Sequence, residues 1–295
     1  MSIILENVNY EYIQGANKIR ALKDINLIIN KNEFIGIIGH TGSGKSTLTQ
    51  LLNGLLYASS GKIEVDGQVI SEDAKDKLKH IRQKVGLVFQ YPEYQLFEET
   101  ISKDIAFGPY NLGLSDVEIE DRVKESMQMV GLDYDKFKDE SPFELSGGQK
   151  RRVAIASILA MKPDYLVLDE PTAGLDPVGR DEILGEIRNI YDNSKNLTVI
   201  VISHSMEDIA NIADRVIVME NGKIFADDET RKIYSMDKEL EQIGLDIPQI
   251  TKATKELEKK GYKFSNTIIT VEEAYNEILE QIQNKKLIGK GEKYE

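Results

Sequence analysis

A glycine-rich segment between two apolar segments constrains the fold of this chain more than any other feature. Residues 39–47, Gly39-His40-Thr41-Gly42-Ser43-Gly44-Lys45-Ser46-Thr47, follow the apolar run 34–38 and precede an amphipathic pattern at Leu48, Leu51, Leu52 and Leu55. Glycines tolerate positive φ angles, so successive backbone N–H groups can turn toward one anion, and a helix N-terminus adds further unpaired N–H groups. The pattern therefore predicts a strand, a phosphate-binding loop and a helix. In such a loop Lys45 reaches the β- and γ-phosphates, and the Ser46 hydroxyl binds Mg²⁺.

Composition narrows the possible partners of this chain of 295 residues. Its 50 acidic and 37 basic residues give a formal net charge of −13, which argues against a protein that binds the phosphate backbone of nucleic acid. The chain has no cysteine, which fits a reducing cytoplasm and excludes disulfides and thiolate metal sites. No apolar run approaches the roughly 18 residues that span a bilayer. We therefore expect a globular protein with neither a transmembrane segment nor a nucleic-acid partner.

Apolar and alternating segments predict strands on both sides of the phosphate-binding loop. The predicted strands are 3–12, 21–29, 34–38, 62–65, 68–70, 85–89, 165–170, 198–202, 215–220 and 223–226. Residues 100–161 instead show helical periodicity without a good strand, which indicates an inserted helical subdomain at about 91–162. The pattern as a whole predicts a nucleotide-binding α/β core.

Two of the predicted strands end in residues that suit phosphate chemistry. Asp169 and Glu170 are the last two residues of the strand at 165–170, and His204 follows the strand at 198–202. Open α/β sheets bind ligands at the carboxyl ends of their strands. We therefore predict that Asp169 helps to hold Mg²⁺, that Glu170 polarises the attacking water, and that His204 contacts the γ-phosphate.

Two further segments are weaker candidates for nucleotide contacts. Tyr12 is a candidate platform for the adenine ring, although a half-buried strand tyrosine fits the local pattern equally well. The segment Leu145-Ser146-Gly147-Gly148-Gln149 precedes an apolar helix, and its glycines and hydroxyl suit a second anion site. Ordinary serine capping of a helix is the alternative for this segment.

Taken together, these motifs resemble the ATP-binding subunit of ABC transporters over residues 3 to about 230. The resemblance implies a P-loop NTPase core with an antiparallel β subdomain. It also implies that the switch glutamine Gln90 senses the γ-phosphate and holds Mg²⁺ with Ser46 and Asp169, and that His204 is the switch histidine. In that family two subunits pack head to tail, so the signature residues Ser146, Gly147, Gly148 and Gln149 close over ATP bound to the other subunit. A loop that ends at Asp176 would contact the paired subunit.

A narrower resemblance lies in residues 89–101 and 104–109, which look like the ATPases of energy-coupling factor importers, and more like the second of their two paralogous ATPases. It implies a heterodimer with a paralogous ATPase, a membrane coupling protein and a substrate-capturing membrane subunit, with the chain peripheral on the cytoplasmic face of the cell membrane. Glu93, Glu98 or Glu99 would receive arginines of the coupling protein, or these residues are simple surface acids. The sequence itself fits pairing with an identical chain as well as pairing with a paralogue.

Other ABC-type functions fit the same motifs. The chain could serve a binding-protein-dependent importer or an exporter, or act as a soluble ABC ATPase. The soluble ABC proteins of translation normally carry two cassettes, and those of DNA repair carry a long coiled-coil insertion, whereas this chain shows one cassette and no such insertion.

The residues after 230 predict a C-terminal helical extension, 231–295. A capping box at Thr270 and Glu273 precedes an apolar stripe formed by Val271, Ala274, Tyr275, Ile278, Leu279 and Ile282. A second amphipathic helix is predicted at 248–260, and disorder is predicted at 289–295. We expect the extension either to contact a partner ATPase or to pack on the core of its own chain.

Overall fold

The apolar strand before the phosphate-binding loop lies inside a six-stranded sheet. The computed structural model describes residues 1–15 and 17–291. Its strands are β1 Ser2–Gln14, β2 Asn17–Asn30, β3 Phe34–Ile38, β4 Ser60–Val65, β5 Gln68–Val69, β6 Val85–Val88, β7 Tyr165–Asp169, β8 Thr198–Ile202, β9 Arg215–Glu220 and β10 Lys223–Glu229. Its helices are α1 Lys45–Leu52, α2 Lys75–Lys84, α3 Ile101–Leu112, α4 Asp116–Met129, α5 Tyr134–Phe137, α6 Gly147–Leu159, α7 Pro177–Asn193, α8 Met206–Ile212, α9 Thr230–Ser235, α10 Asp237–Gln242, α11 Gln249–Lys259 and α12 Val271–Gly291.

The order of strands in the six-stranded sheet is β10-β9-β3-β8-β7-β6. Only β10 runs antiparallel to its neighbour, and every residue of β3, β6, β7 and β8 is buried. Burial of both faces explains why these strands appear in the sequence as continuous apolar runs rather than as alternating ones. Because these strands are parallel, their carboxyl ends meet at one edge of the sheet. The phosphate-binding loop, Gln90, Glu170 and His204 all follow strands at this edge, and Asp169 is the last residue of β7.

A second, antiparallel sheet with the order β2-β1-β4-β5 covers the nucleotide-binding core. Its side chains alternate between buried and exposed, as in the second half of β2, so one face contributes to a core shared with α1 and the six-stranded sheet. Tyr12 of β1 pairs with Ile19 of β2 near the end of this long hairpin. The sheet therefore brings Tyr12 toward the helix that follows the phosphate-binding loop.

Between β6 and β7 the chain is helical, as predicted. Thr100 caps α3, and capping boxes start both α4, at Ser115 and Glu118, and α6, at Ser146 and Gln149. The helices α3, α4 and α6 pack on one another through apolar residues, including Ile105, Val123 and Ile155. The signature segment predicted from the sequence is therefore the start of a well-packed helix.

The C-terminal extension shares the core of its own chain. Ile233, Tyr234 and Leu240 are fully buried within the same apolar cluster as Phe34 of β3. Tyr234 also donates a hydrogen bond of 3.0 Å to the carbonyl oxygen of Met206. Because these residues lie on α9 and α10, two short helices that sequence periodicity did not predict, the extension is anchored directly after β10.

The α/β class predicted from the sequence is confirmed, with a mixed sheet, an antiparallel sheet, an inserted set of helices and a helical extension. The prediction of disorder at 289–295 is wrong for 289–291, which continue α12, and 292–295 lie outside the described residues. Within the part of the chain that is described, no helix is both long and apolar enough to cross a membrane.

Candidate nucleotide site

The phosphate-binding loop keeps its shape because two of its glycines have no room for a side chain. Gly39 and Gly44 have φ angles of 153° and 103°. A Cβ on Gly39 would lie 2.3 Å from the carbonyl oxygen of Met219, and one on Gly44 would lie 2.8 Å from that of Ala21. No side chain caps the first turn of α1, so its N–H groups remain available to an anion. The buried Ser43 hydroxyl also has no hydrogen-bond partner among the residues that the structure describes.

Lys45 folds back over this loop. Its Nζ donates hydrogen bonds to the carbonyl oxygens of Gly39, at 2.6 Å, and His40, at 3.1 Å. Burial lowers the pKa of Lys45, whereas the nearby carboxylates of Glu170 and Asp169 act in the opposite direction. The ammonium group is therefore held at the centre of the loop by carbonyl oxygens that a phosphate group can replace.

Asp169 is the last residue of β7 and Glu170 directly follows it. These two adjacent acids are buried, each 9% exposed. Burial raises the pKa of Asp169, and a hydrogen bond from the Ser46 hydroxyl opposes this effect. Burial also raises the pKa of Glu170 to about 7, helped by the charges of Asp169 and Asp208 and opposed by the His204 backbone N–H and Lys45. A carboxyl group with such a pKa can accept a proton near neutral pH.

His204 lies beside Glu170, at the end of the neighbouring strand β8. Its backbone N–H donates to Glu170 Oε2 at 3.4 Å, and its Nε2 lies 3.1 Å from Glu170 Oε1. Burial, together with the charge of Lys45, lowers the pKa of His204, which favours the neutral imidazole over an ion pair. Oε1 is buried and has no hydrogen-bond partner among the described residues, the His204 ring included. A buried acceptor of this kind is suited to a water molecule or to a ligand group.

These groups surround one cavity of about 550 Å³. Predicted site residues that line the cavity are Tyr12, Thr41, Gly42, Gly44, Lys45, Ser46, Thr47, Gln90, Asp169, Glu170 and His204. Tyr12 reaches it from the antiparallel sheet, with its hydroxyl 3.1 Å from the Thr47 hydroxyl and its ring edge-to-face with Tyr10. The cavity thus joins a phosphate-binding loop, two carboxylates, a histidine and an aromatic ring.

Three cavity residues were not predicted from the sequence, namely Ile19, Arg20 and Ala21. Arg20 donates a hydrogen bond to Asn9 on the neighbouring strand. The pairing of Tyr12 with Ile19 across the hairpin was the signal that could have revealed them.

The remaining predicted residues do not line this cavity. Gly39, His40 and Ser43 belong to the loop itself, and Ser146, Gly147, Gly148 and Gln149 lie at the start of α6. A Cβ added to Gly147 or Gly148 would meet nothing within 4 Å, so the backbone there faces open space. Asp176 is exposed and caps α7 by accepting a hydrogen bond of 2.8 Å from the Gly179 N–H. The described chain therefore brings the phosphate-binding half of the predicted site together and leaves the signature half at a separate surface.

Comparison with known proteins agrees with this geometry. The profile of the ABC transporter family matches residues 22–173, more than half of the chain. The energy-coupling factor transporter ATP-binding protein EcfA2 of Clostridium perfringens is 57% identical over 286 residues, covering 96% of this chain and 99% of that protein. The protein of the same name from Clostridium tetani is 55% identical over 286 residues, covering 97% of this chain and 99% of the relative.

Solved structures support the same assignment. The structure of cbiO1 from Clostridium perfringens, described as part of the ABC transporter complex cbiONQ, has a TM-score of 0.72 and 34% identity, covering 86% of this chain and 98% of that chain. The ATP-binding cassette MJ0796 was solved as a dimer in a post-hydrolysis state bound to ADP and Pi. It has a TM-score of 0.69 and 30% identity, covering 78% of this chain and 99% of that chain.

The chain is therefore an ATP-binding cassette, an ATPase of the ABC transporter family that couples ATP hydrolysis to transport. Within that family it belongs to the energy-coupling factor transporter ATP-binding proteins, as the narrower resemblance in residues 89–101 predicted.

Proposed function

We propose that this chain is the ATP-hydrolysing subunit of an energy-coupling factor importer for vitamins or metal ions. In this proposal it pairs with a paralogous ATPase on the cytoplasmic face of the cell membrane. A membrane coupling protein and a substrate-capturing membrane subunit complete the importer. The observation that carries the proposal is the cavity in which Lys45, Glu170 and His204 converge beside the phosphate-binding loop. The names of the relatives support the transport assignment.

The residues of the cavity suit magnesium as well as phosphate. Ser46, Asp169 and Gln90 offer hydroxyl, carboxylate and amide oxygens, the ligand types that Mg²⁺ prefers. Bound Mg²⁺ neutralises negative charge on the phosphates of ATP. Lys45 adds a positive charge at the same phosphates once its Nζ leaves the carbonyl oxygens of Gly39 and His40.

Glu170 orients the attacking water and accepts its proton in this mechanism. Its unpartnered Oε1 is the acceptor, and its raised pKa places proton uptake close to neutral pH. His204 and Gln90 sense the γ-phosphate, because both lie at the same cavity as Glu170. Tyr12 supplies a ring face for adenine.

The signature residues complete a site on the paired subunit. Ser146, Gly147, Gly148 and Gln149 lie away from the cavity of their own chain, at a helix N-terminus whose glycine backbone faces open space. We infer that they close over ATP held by the paralogous ATPase, and that Asp176 contacts that subunit. Two composite sites then form in the pair, each with groups from both chains.

A second cavity, of about 860 Å³, offers a surface for the membrane coupling protein. It lies between the inserted helices and the core, and exposed Phe89, Phe97 and Phe107 contribute to its wall. Of the acids near it, Glu93 contacts the buried Arg151 and Glu99 pairs with Lys103, whereas Glu98 makes no ion pair among the described residues. Glu98 is therefore the acid that we expect to contribute most to docking, because binding breaks no existing pair.

Purification of the tagged chain from membranes solubilised in mild detergent tests the assembly. We expect a related ATPase and small integral membrane proteins to remain bound, as identified by mass spectrometry. Recovery of the chain alone or with a single large permease would overturn the importer assignment. Glu98→Arg should reduce recovery of the membrane proteins, whereas the same change at exposed Glu6, outside the proposed contact surfaces, is the control.

A second experiment tests the chemistry. Glu170→Gln should bind ATP with nearly unchanged affinity and lose at least about 100-fold in turnover, because the amide cannot accept the proton from water. Near-normal hydrolysis by this variant would refute the role of Glu170.

A further inference from the structure

A buried carboxylate next to the site has no role in the mechanism above beyond the effect of its charge on Glu170. Asp208 lies in the first turn of α8 and is 5% exposed. Its Oδ2 accepts a hydrogen bond of 2.8 Å from the Thr172 hydroxyl. Its Oδ1 accepts one of 2.6 Å from Arg180 Nη2 and one of 2.8 Å from the Ser205 hydroxyl. Both oxygens of the carboxylate are therefore occupied by donors from the same chain.

Two of the three donors, Thr172 and Ser205, lie on segments that each carry a residue of the site. Thr172 lies two residues after Glu170, in a loop that is tied back by a hydrogen bond of 3.1 Å from the Ala173 N–H to the Glu170 carbonyl oxygen. Ser205 directly follows His204, and its N–H donates to the Ser203 hydroxyl. Arg180 lies on α7, the helix that Asp176 caps. The Asp208 carboxylate therefore joins the segment after Glu170 to the segment after His204.

Capping of α8 does not account for this arrangement. The Ser205 hydroxyl caps the helix by accepting the Asp208 N–H at 3.1 Å, and that bond involves only the backbone of Asp208. The bonds to Thr172 and Arg180 add nothing to the cap. Both bonds are charge-assisted, and the bond to Thr172 is buried whereas the bond to Arg180 is partly buried. Hydrogen bonds of this kind are strong and fix geometry.

We propose that Asp208 is a positioning residue for ATP hydrolysis, which sets the placement of Glu170 relative to His204 by holding Thr172 and Ser205 on one carboxylate. The proposal rests on the function proposed above for Glu170 and His204. Among the described residues, the Glu170 carboxylate accepts one hydrogen bond, of 3.4 Å from the His204 N–H to Oε2, and Oε1 accepts none. The position of the carboxylate therefore depends on the backbone of the two segments that Asp208 joins. Displacement of a reacting group by about 1 Å can cost on the order of 100-fold in rate.

Two substitutions of one residue test this proposal. Thr172→Val has nearly the same shape and removes the hydroxyl, whereas Thr172→Ser keeps the hydroxyl and removes a methyl group. In the purified, ATPase-active assembly of the full chain, Thr172→Val should lower kcat by about 10-fold or more and change KM for ATP by less than about 2-fold. Thr172→Ser should restore kcat to within about 3-fold of the unsubstituted protein.

Three results would overturn the proposal. They are an unchanged kcat in Thr172→Val, an equal loss of kcat in both variants, and a rise in KM that accounts for the whole loss. If Thr172→Val does not fold, the pair Arg180→Met and Arg180→Lys answers the same question, because only lysine retains a cationic donor to Asp208. In that pair, kcat should fall in the methionine variant and recover in the lysine variant.

The outcome is distinguishable from failure of the proposed function. If Glu170→Gln hydrolyses ATP normally, the role of Glu170 is wrong and the positioning role falls with it. If Glu170→Gln is inactive and Thr172→Val is fully active, only the role of Asp208 is wrong.

Discussion

Glu170 is buried in a place that favours its neutral form. It is 9% exposed, and Asp169 and Asp208 add negative charge nearby. Lys45 and the His204 N–H only partly offset this, so the pKa of Glu170 is raised from 4.5 to about 7. The same burial that prepares the group for proton transfer therefore destabilises the nucleotide-free protein once the group ionises.

Glu170→Gln should stabilise the nucleotide-free, magnesium-free protein at alkaline pH. The pKa of Glu170 is raised in the folded chain, so the penalty is absent below about pH 4.5, develops as the pH rises and is complete above about pH 7. The advantage of the variant in free energy of unfolding should grow by about 2 kcal/mol between about pH 5.5 and pH 8.5, as measured by urea unfolding. Glu241→Gln, at an exposed position, is the control. An advantage that is constant with pH would show that Glu170 is not destabilised by its charge.

Gly44 and Gly42 of the phosphate-binding loop can be compared directly, because they differ mainly in the space available for a side chain. Both have positive φ angles, 103° and 82°, but a Cβ on Gly44 meets Leu22 and Ala21, whereas one on Gly42 meets nothing within 4 Å. Gly42→Ala should cost only the strain of positive φ, about 1 kcal/mol. Gly44→Ala should cost about 1 to 3 kcal/mol more, because of the overlap. Equal losses in urea unfolding of the two variants would mean that the loop shifts away from β2 without cost.

Residues of the site were predictable where the sequence itself carries the pattern. The phosphate-binding loop is contiguous, and Asp169, Glu170 and His204 follow apolar strands whose ends meet in any parallel sheet. Arg20 and Asp208 were not predictable in this way. Arg20 reaches the cavity through the pairing of β1 with β2, and Asp208 meets Thr172 across 36 residues of chain.

At the scale of elements, the loop between β7 and α7 is held from two sides. Asp208 of α8 binds Thr172 on one side, and Arg151 of α6 binds the loop on the other. Arg151 is 2% exposed, and its guanidinium donates to the carbonyl oxygens of Pro171, at 2.8 Å, and Ala173, at 3.0 Å. The helix that starts with the signature segment is therefore bonded directly to the loop that follows Glu170.

Replacement of Arg151 by methionine should lower the free energy of unfolding, because it removes the bonds between α6 and the loop after Glu170. The change leaves two carbonyl oxygens without their donor, which we expect to cost about 2 to 4 kcal/mol in free energy of unfolding. Urea unfolding of Arg151→Met measures this loss, and Lys150→Met, at the preceding position of the same helix, is the control. Glu93→Gln should cost less than about 1 kcal/mol, because its contact with Arg151 is long, at 3.5 Å. A loss in Glu93→Gln as large as that in Arg151→Met would mean that Glu93 is a structural residue rather than a docking acid.

Hydrophobic periodicity in the sequence predicted the long helices and the buried strands but not the short helices α9 and α10. Long helices with capping boxes, such as α4, and fully apolar strands, such as β8, carry their signals locally. The short helices α9 and α10, of 6 residues each, have too few turns to show a stripe, and no side chain caps either of them. They form because Ile233, Tyr234 and Leu240 fill a core that is built largely by distant residues.

At the scale of the whole molecule, the C-terminal extension has an inner and an outer face. The inner face is anchored by the core residues of α9 and α10 and by an ion pair of 2.6 Å between Arg231 and Glu273. Ala274 of α12 is also buried. The outer face of α12 exposes Val271 (71%), Tyr275 (64%), Leu279 and Ile282. The extension packs on the core of its own chain. This packing leaves a separate apolar stripe exposed, which is available for contact with a partner ATPase.

We expect the exposed apolar stripe of α12 to contact the paired ATPase. A double substitution, Val271→Ser with Tyr275→Ser, removes two apolar side chains that contribute little to folding because they are 71% and 64% exposed. If the stripe contacts the paired subunit, the loss of buried apolar area should weaken association by about 10-fold or more. Sedimentation at several protein concentrations measures the Kd, with exposed Asn276→Ala as the control. An unchanged Kd would assign the pairing to the cassette surfaces around Asp176 and the signature segment, because those are the other surfaces proposed to meet the partner.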